Sequence, residues 1–392
     1  MTRIEAIELT PVSVPFTRPE RWALGEHGGM TSLIVELHTE DGTTGLGEIL
    51  PVAPGPKALT ATVEELSPLL IGHDARDINR NVSRILYEAG WYMFERSANL
   101  VIAGLEMAMW DVLGKSVGEP LHRLFGGALR DRQPYVYYLQ ASGRSVAEMA
   151  DEAVEAVASG YDSFFFKGGW DEERDVELVA TLRERVGPRP RLRLDPNEAW
   201  TVGTAVRMMK RLEPFDLEFV EQPVRMDDIE ALVRLRHASG VAIGANQGGW
   251  TSRQIFEIAK RGAADVIVTD PHQEGGLAAL RRSIAICEVA GLPVAHHAFS
   301  GLTIAMTAAM HVYAASPNCG LVAGQAFAPG FLTGDVTTTM FSAEGGSAAV
   351  PSAPGIGVEL DRDRLASAHK AYLEGGAHSF FDEADIGWLP RR

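Results

Sequence analysis

Six lone polar residues close six apolar, strand-like segments of this chain at a nearly constant interval. Lys167, Asp195, Glu221, Asn246, Asp270 and His297 follow one another at 28, 26, 25, 24 and 27 residues. A parallel (β/α)₈ barrel imposes such a rhythm, because each strand–helix unit returns the chain to one mouth, where side chains at the C-terminal strand ends meet. The residue types then suggest chemistry. An ammonium, three oxygen ligands and an Asp/His pair are the parts for taking a proton from carbon beside a metal-bound carboxylate.

The segments between these residues support the barrel. A first strand is predicted at Tyr135–Tyr138, then strands at Ser163–Lys167, Arg191–Asp195, Leu217–Glu221, Val241–Ala245, Asp265–Thr269 and Leu292–His297. Amphipathic helices alternate with them, the first opening on a capping box, Ser145 with Glu148, and closing at Gly160. A strand near Leu321 is expected to close the ring. Ahead of the barrel, Ile4–Leu9 and Ser32–Thr39 alternate as strands, and the second leads through the turn Glu40-Asp41-Gly42 to Gly45–Glu48. Between them the Gly-rich stretch from Arg21 to Gly29 reads either as a lid or as a surface loop, with Trp22 and His27 on it. Helices are expected at Leu59–Ile71, Asp77–Tyr87 and Ala98–Gly114. The organisation expected is therefore an α+β capping domain over 1–130, a modified TIM-type barrel of seven to eight βα units over 131–343, and a C-terminal segment, 344–392, returning to the cap.

With 392 residues, 46% of them hydrophobic, the chain is long enough for a barrel of roughly 250 residues plus a smaller domain. No apolar run reaches the roughly 18 residues of a membrane span, and the N-terminus lacks a basic start followed by an apolar stretch, so a cytoplasmic location is expected. The formal charge of −16 opposes binding to nucleic acid or an anionic membrane. An anionic small substrate would instead need a locally positive pocket, which a divalent cation supplies. Cys287 and Cys319 are the only cysteines, too few for a disulfide framework or a thiolate metal site.

Taken together, these residues resemble the enolase superfamily, in its mandelate racemase/muconate lactonizing enzyme group. Ala103–Asp111, Lys115–Pro120 and Leu124–Gly127 resemble the helix and turn leading into that family's barrel, and Pro354–Asp361 resembles its C-terminal signature. Phe166–Gly169, Leu194–Trp200, Ala245-Asn246 and Asp270–His272 look closest to glucarate-dehydratase-like members. The resemblance implies Mg²⁺ held by Asp195, Glu221 and Asn246, with Gln247 as the fallback for the third ligand. It also implies His297 as the acid–base group beside Asp270, and Lys167 as a base or electrostatic partner on the opposite face of the substrate. Two positions depart from the family pattern. Phe165 stands where a first lysine is usual, and Ala323 where the eighth strand usually brings an acid, for which Gln325 is a possible substitute.

The residues give these roles a physical basis. A proton α to a carboxylate is weakly acidic, and Mg²⁺, a hard Lewis acid preferring oxygen, would stabilise the enediolate formed by its removal. Asp270 would fix the tautomer of His297 and raise its proton affinity, whereas His296 should face the other way and be structural. The aromatic run Phe164–Phe166 should desolvate Lys167 and lower its pKa, and the missing cation at Phe165 should oppose that shift. Contacts that select the substrate are expected from Trp22, His27, Tyr138, Phe165, Asn197, Gln247 and Gln325. The leading expectation is dehydration of a hydroxy acid or sugar-acid-like substrate to a 2-keto acid, with a racemase, epimerase or cycloisomerase as the alternative and a non-catalytic barrel with a decayed site as the third. The expected partners are a small-molecule carboxylate and, from the resemblance, further copies of the chain, in a dimer to an octamer.

Overall fold

In a computed structural model the chain is described over residues 2–52, 55–299 and 301–378. The last fourteen residues of the expected C-terminal segment, 379–392, lie outside that range. The capping part opens with an antiparallel sheet of β1 (Ile4–Trp22), β2 (Gly25–Thr39) and β3 (Thr44–Ile49). The stretch read as a loop from Arg21 to Gly29 is instead the end of the β1–β2 hairpin. Glu20 pairs with His27, Arg21 with Glu26 and Trp22 with Gly25 across a turn at Ala23-Leu24. The register shifts between Pro15 and Glu20, which leaves Phe16–Pro19 out of the ladder.

Helices α1 (Pro56–Leu66), α2 (Ile78–Ser83) and α3 (Glu95–Val117) complete this layer. Strand β3 lies flush on α3 because its facing side is glycine: a Cβ at Gly47 would stand 2.0 Å from the Gly104 carbonyl oxygen. The long apolar helix α3 buries its stripe between the cap sheet and the barrel. After the short α4 (Leu121–Leu124) and β4 (Arg132–Pro134), the barrel begins.

Seven parallel strands curl in sequence order: β5 (Tyr137–Leu139), β6 (Ser163–Lys167), β7 (Arg191–Asp195), β8 (Phe219–Glu221), β9 (Ile243–Ala245), β10 (Val266–Thr269) and β11 (Val294–His296). Their helices are α5 (Val146–Ala158), α6 (Glu172–Val186), α7 (Val202–Leu212), α8 (Ile229–Ala238), α9 (Ser252–Arg261), the short α10 (Pro271–Glu274) with α11 (Leu277–Val289), and α12 (Thr303–Ala314). The predicted capping box on α5 forms, Ser145 and Glu148 each accepting from the other's backbone N–H.

No extended strand follows at Leu321. Two residues close the ring: Gly324 bridges to Tyr135, and the next residue, Gln325, donates its N–H to the His296 carbonyl at 2.7 Å. A Cβ at Gly324 would lie 2.8 Å from the His296 Cβ and 3.0 Å from the Tyr135 ring, so closure at this seam requires glycine. Tyr135 itself contributes only that bridge, and the first strand begins two residues later than the alternation suggests.

The C-terminal segment pairs β12 (Ser347–Ala349) with β4, and lays α13 (Arg362–Gly375) on the cap. Arg362 meets Glu36 of β2, and His369 Nδ1 lies 2.7 Å from the Pro11 carbonyl of β1. Cys287 and Cys319 are both free and buried. Among the described residues no helix is long and apolar enough to cross a membrane.

Candidate active site

Alternation along the barrel strands decides which side chains share the mouth. Lys167 and Asp195 pair in register at the ends of β6 and β7, so Phe165 and Arg193, two residues earlier, share their side of the sheet. The Lys167 Nζ donates to Asp195 Oδ2 at 2.7 Å and lies 5.0 Å from the centre of the Phe165 ring. Asp195 is fully buried, and its Oδ1 accepts from the Asn197 N–H at 2.9 Å. Glu221, at the end of β8, is also fully buried; its Oε2 accepts from Gln325 Nε2 at 2.8 Å, while its Oε1 is buried with no partner. Asn246 follows β9 and donates from Nδ2 to the Val268 carbonyl at 2.9 Å.

Among the described residues no three His, Cys, Asp or Glu side chains gather around a common point. The set at this mouth is two carboxylates and an amide. Burial pushes the Glu221 carboxyl upward, and the neighbouring Asp195 charge pushes it further. Two adjacent buried acids, one with an unpartnered oxygen, fit a divalent cation that would relieve both effects.

At Lys167 the two opposing effects expected from the sequence resolve upward. Burial does act downward on it, but Asp195, Glu20 and Glu221 outweigh that and hold the ammonium above the usual lysine range. The Phe165 ring faces a lysine already paired.

Across the mouth, Asp270 follows β10 and caps α10, accepting at Oδ1 from the backbone N–H of His272 at 2.6 Å and of Gln273 at 3.1 Å. Its Oδ2 lies 2.8 Å from His297 Nδ1, and the His297 N–H continues the ladder to the Thr269 carbonyl. Burial alone would raise the Asp270 carboxyl; the hydrogen bonds and charges of His272 and His297 hold it well below the carboxylate range instead. Helix capping and pairing with an imidazole therefore coexist in one residue. His296 is buried, its ring stacked at 4.7 Å on Tyr313 and its Nδ1 3.3 Å from the Tyr135 hydroxyl. Burial pushes it down to about 3.

The residues expected to select substrate divide into two groups. Phe165, Tyr138 and Gln325 reach the mouth: the Tyr138 ring stands edge-on to Phe165 at 4.9 Å, and its hydroxyl is buried without a partner. Asn197 Oδ1 and Gln247 Oε1 are likewise buried without partners, Asn197 in a left-handed backbone conformation with φ of 44°. His27 is buried in the cap hairpin, its Nε2 2.8 Å from Glu20 Oε2, and feels the Lys167 charge. Trp22 sits half-buried at the hairpin end, where Arg21 lies over Trp170 of the loop following Lys167. Sequence reading missed Glu20, whose partnership with His27 depends on the hairpin register, and Glu48 and His272, discussed below.

This arrangement defines a class: a capped parallel barrel whose rim carries an ammonium, two buried acids, an amide and a carboxylate–imidazole pair. Comparison with known proteins gives the same answer. Residues 148–364 match the "Enolase C-terminal domain-like" family and residues 6–126 the mandelate racemase/muconate lactonizing enzyme N-terminal domain. The chain is 31% identical to a probable glucarate dehydratase of Streptomyces coelicolor, over 95% of this chain and 93% of that one. Muconate lactonizing enzyme from Pseudomonas fluorescens, solved with muconolactone, superposes with a TM-score of 0.87 at 28% identity, over 94% of this chain and 99% of that one. A dipeptide epimerase from Enterococcus faecalis, solved with Mg and a dipeptide, gives 0.83 at 27%, over 91% and 99%. The chain belongs to the mandelate racemase/muconate lactonizing enzyme group of the enolase superfamily. It is an enzyme of a family whose members include dehydratases, cycloisomerases and epimerases.

Proposed function

We propose that this enzyme removes the proton α to a carboxylate and then expels a β-hydroxyl as water, converting a 2,3-dihydroxy acid, through the enol that tautomerises, to a 2-keto acid. The observation that carries the reading is the 2.8 Å pairing of His297 with Asp270, opposite a lysine that is hydrogen-bonded to Asp195. One side of the mouth thus offers an imidazole backed by a carboxylate, suited to accept a proton and then deliver it to the departing hydroxyl. The other offers an ammonium, suited to balancing negative charge that develops on the substrate. Racemisation needs a base on one face and an acid on the other; the two faces here differ, the imidazole being backed by Asp270 and the ammonium paired with the buried Asp195.

Asp195, Glu221 and Asn246 would hold Mg²⁺. When bound, it supplies Lewis-acid polarisation of the substrate carboxylate. The fit rests on the buried, unpartnered Glu221 Oε1 and on the adjacent Asp195. Gln325, donating to Glu221, takes part of the place of the absent eighth-strand acid by orienting a ligand oxygen. Phe165 and Tyr138 make the Lys167 side less polar than a second lysine would, which favours a hydroxy acid with an apolar portion over a dianionic sugar acid. The reading includes a small carboxylate as partner, further copies of the chain in solution, and a cytoplasmic setting.

The isomerase reading keeps one support, Lys167 and His297 flanking the mouth. Incubating the protein with Mg²⁺ in D₂O against aldonic, aldaric and shorter hydroxy acids separates the two. Keto-acid formation with loss of water is expected. Deuterium wash-in without mass loss of water would establish the isomerase instead, and a protein that neither binds Mg²⁺ nor exchanges any α-proton would leave the decayed-barrel reading.

A further inference from the structure

The capping domain reaches the acid–base pair through a residue that does little for its own sheet. Glu48, near the end of β3, is fully buried. Its carboxylate accepts from Ser32 Oγ at 2.7 Å and from the backbone N–H groups of Leu302 at 2.9 Å and Ala305 at 3.0 Å. These last two belong to the start of α12, the helix that follows His297. First-turn N–H groups need external acceptors, and Leu302, at the N-cap, has no side chain to supply one. The cap domain supplies it, from 254 residues away.

The same residue holds the other member of the pair. Its backbone carbonyl lies 2.8 Å from His272 Nε2, which fixes the hydrogen on that nitrogen and turns Nδ1 toward Asp270, 3.6 Å from Oδ1. The His272 backbone N–H is one of the two donors to that oxygen. Phe299, in the link between His297 and α12, stacks on the His272 ring at 6.4 Å and stands 5.2 Å from the His297 ring. One residue therefore pins the element after His297 through its carboxylate and the His272 ring through its backbone carbonyl.

We propose that Glu48 is a positioning residue for the Asp270–His297 pair, acting from the capping domain through His272 and the first turn of α12. The inference rests on the reading of His297 as the proton-transfer group. A 2.8 Å hydrogen bond between two side chains from different strand ends survives only if both backbones stay in place, and Glu48 touches the supports of both.

The molecule contains its own control. Glu106 of α3 is also a buried cap-domain acid, and it accepts from the backbone N–H groups of Leu277 and Ala278 at the start of α11, the second at 3.0 Å. Its hydrogen bonds go to neither Asp270, His272 nor His297. The titratable groups around the pair are His272 and Glu274 of α10, His296 of β11, Tyr313 of α12 and Glu48 of β3.

The experiment uses the full chain labelled with ¹⁵N-histidine, with and without Mg²⁺, and follows the His297 and His272 rings by NMR in wild type, Glu48→Gln and Glu106→Gln. Glu48→Gln is expected to speed exchange of the His297 Nδ1 proton by at least roughly tenfold, the loss of a charge-assisted hydrogen bond, and to shift the ring's ¹⁵N signals. Glu106→Gln should lower the melting temperature and leave both readouts unmoved. If Glu48→Gln does not fold, Ser32→Ala serves: it removes the side-chain donor that holds the Glu48 carboxylate and touches neither Asp270, His272 nor His297, with the same direction of change expected. His297 signals that match wild type in the folded variants overturn the inference. The base assignment fails separately, if His297→Asn still exchanges α-protons of an acid turned over by the wild type.

Discussion

On the β10–β11 side of the mouth both oxygens of Asp270 have donors, one from His297 and the other from two backbone N–H groups, and the supports of both residues are tied to the cap. On the β6–β9 side, Glu221 Oε1, Gln247 Oε1 and Asn197 Oδ1 are buried with nothing to accept from among the described residues. The contrast separates two kinds of construction. On the proposed function, the proton-transfer pair is hydrogen-bonded in advance, whereas the cation side keeps the second Glu221 oxygen ready for a ligand that arrives later, beside an Asp195 whose oxygens are already paired with Lys167 and the Asn197 N–H.

The sharpest way to break this comparison is at the preorganised side. His297→Asn should cut α-proton exchange by roughly 10²–10⁴-fold, measured by mass spectrometry in D₂O, while Mg²⁺ binding by calorimetry stays intact. A variant that lost the metal as well would show that the two halves are not separable.

On the ligand side, Gln325→Ala removes the donor that orients Glu221 and should weaken Mg²⁺ by about 10- to 100-fold, with the His297 ring signals unchanged. Unaltered affinity would mean that Glu221 is not held by Gln325 in the loaded protein.

A third test uses pH. Burial pushes Glu106 to about 7 and Glu274 to about 8, and Glu221 is raised too. An acid raised on folding contributes stability below its unfolded value, near 4.5, that is lost as pH climbs through the folded value. The metal-free protein should therefore melt lower as pH rises from 4.5 to about 8. Saturating Mg²⁺ should add about 2.7 kcal/mol at a hundredfold excess over Kd, if it binds only the native state. A melting temperature that Mg²⁺ does not raise would contradict the reading of Asp195 and Glu221 as cation ligands, and one indifferent to pH would contradict the burial shifts of Glu106 and Glu274.

The smallest expected change lies outside the contrast and calibrates it. Ser145→Ala removes the capping box at the start of α5 and should cost about 1 kcal/mol in thermal or urea unfolding. Because Ser145 contacts neither half of the mouth, a loss of exchange activity with it would show that stability alone reaches the site.

Much of this was legible before folding. The strand-end rhythm placed Lys167, Asp195, Glu221, Asn246, Asp270 and His297 within one residue of the strand ends at the barrel mouth, because strand length and helix length are set by local pattern. The Ser145/Glu148 box was readable for the same reason, both partners lying within one turn. The hairpin at Arg21–Gly29 was misread because its glycines suggest a loop, whereas cross-strand pairing on both sides of Ala23-Leu24 extends the ladder. Ring closure at Gly324 has no strand signature, being a single bridge at a crowded seam. The net direction at Lys167 was not readable because only its aromatic neighbours are visible along the chain, while Asp195, Glu20 and Glu221 approach it from other elements.

The amino-acid order by itself determined the barrel period, the residue types at its rim and the family to which they correspond, since each depends on spacing within a few dozen residues. Only the tertiary structure decided which of those groups are hydrogen-bonded within the protein and which are not, that Gln325 reaches Glu221 from 104 residues away, and that a cap-domain carboxylate caps the helix following His297. Hydrogen bonds between distant segments are set by how helices and sheets pack, and packing is a property of the whole folded chain rather than of any stretch of it.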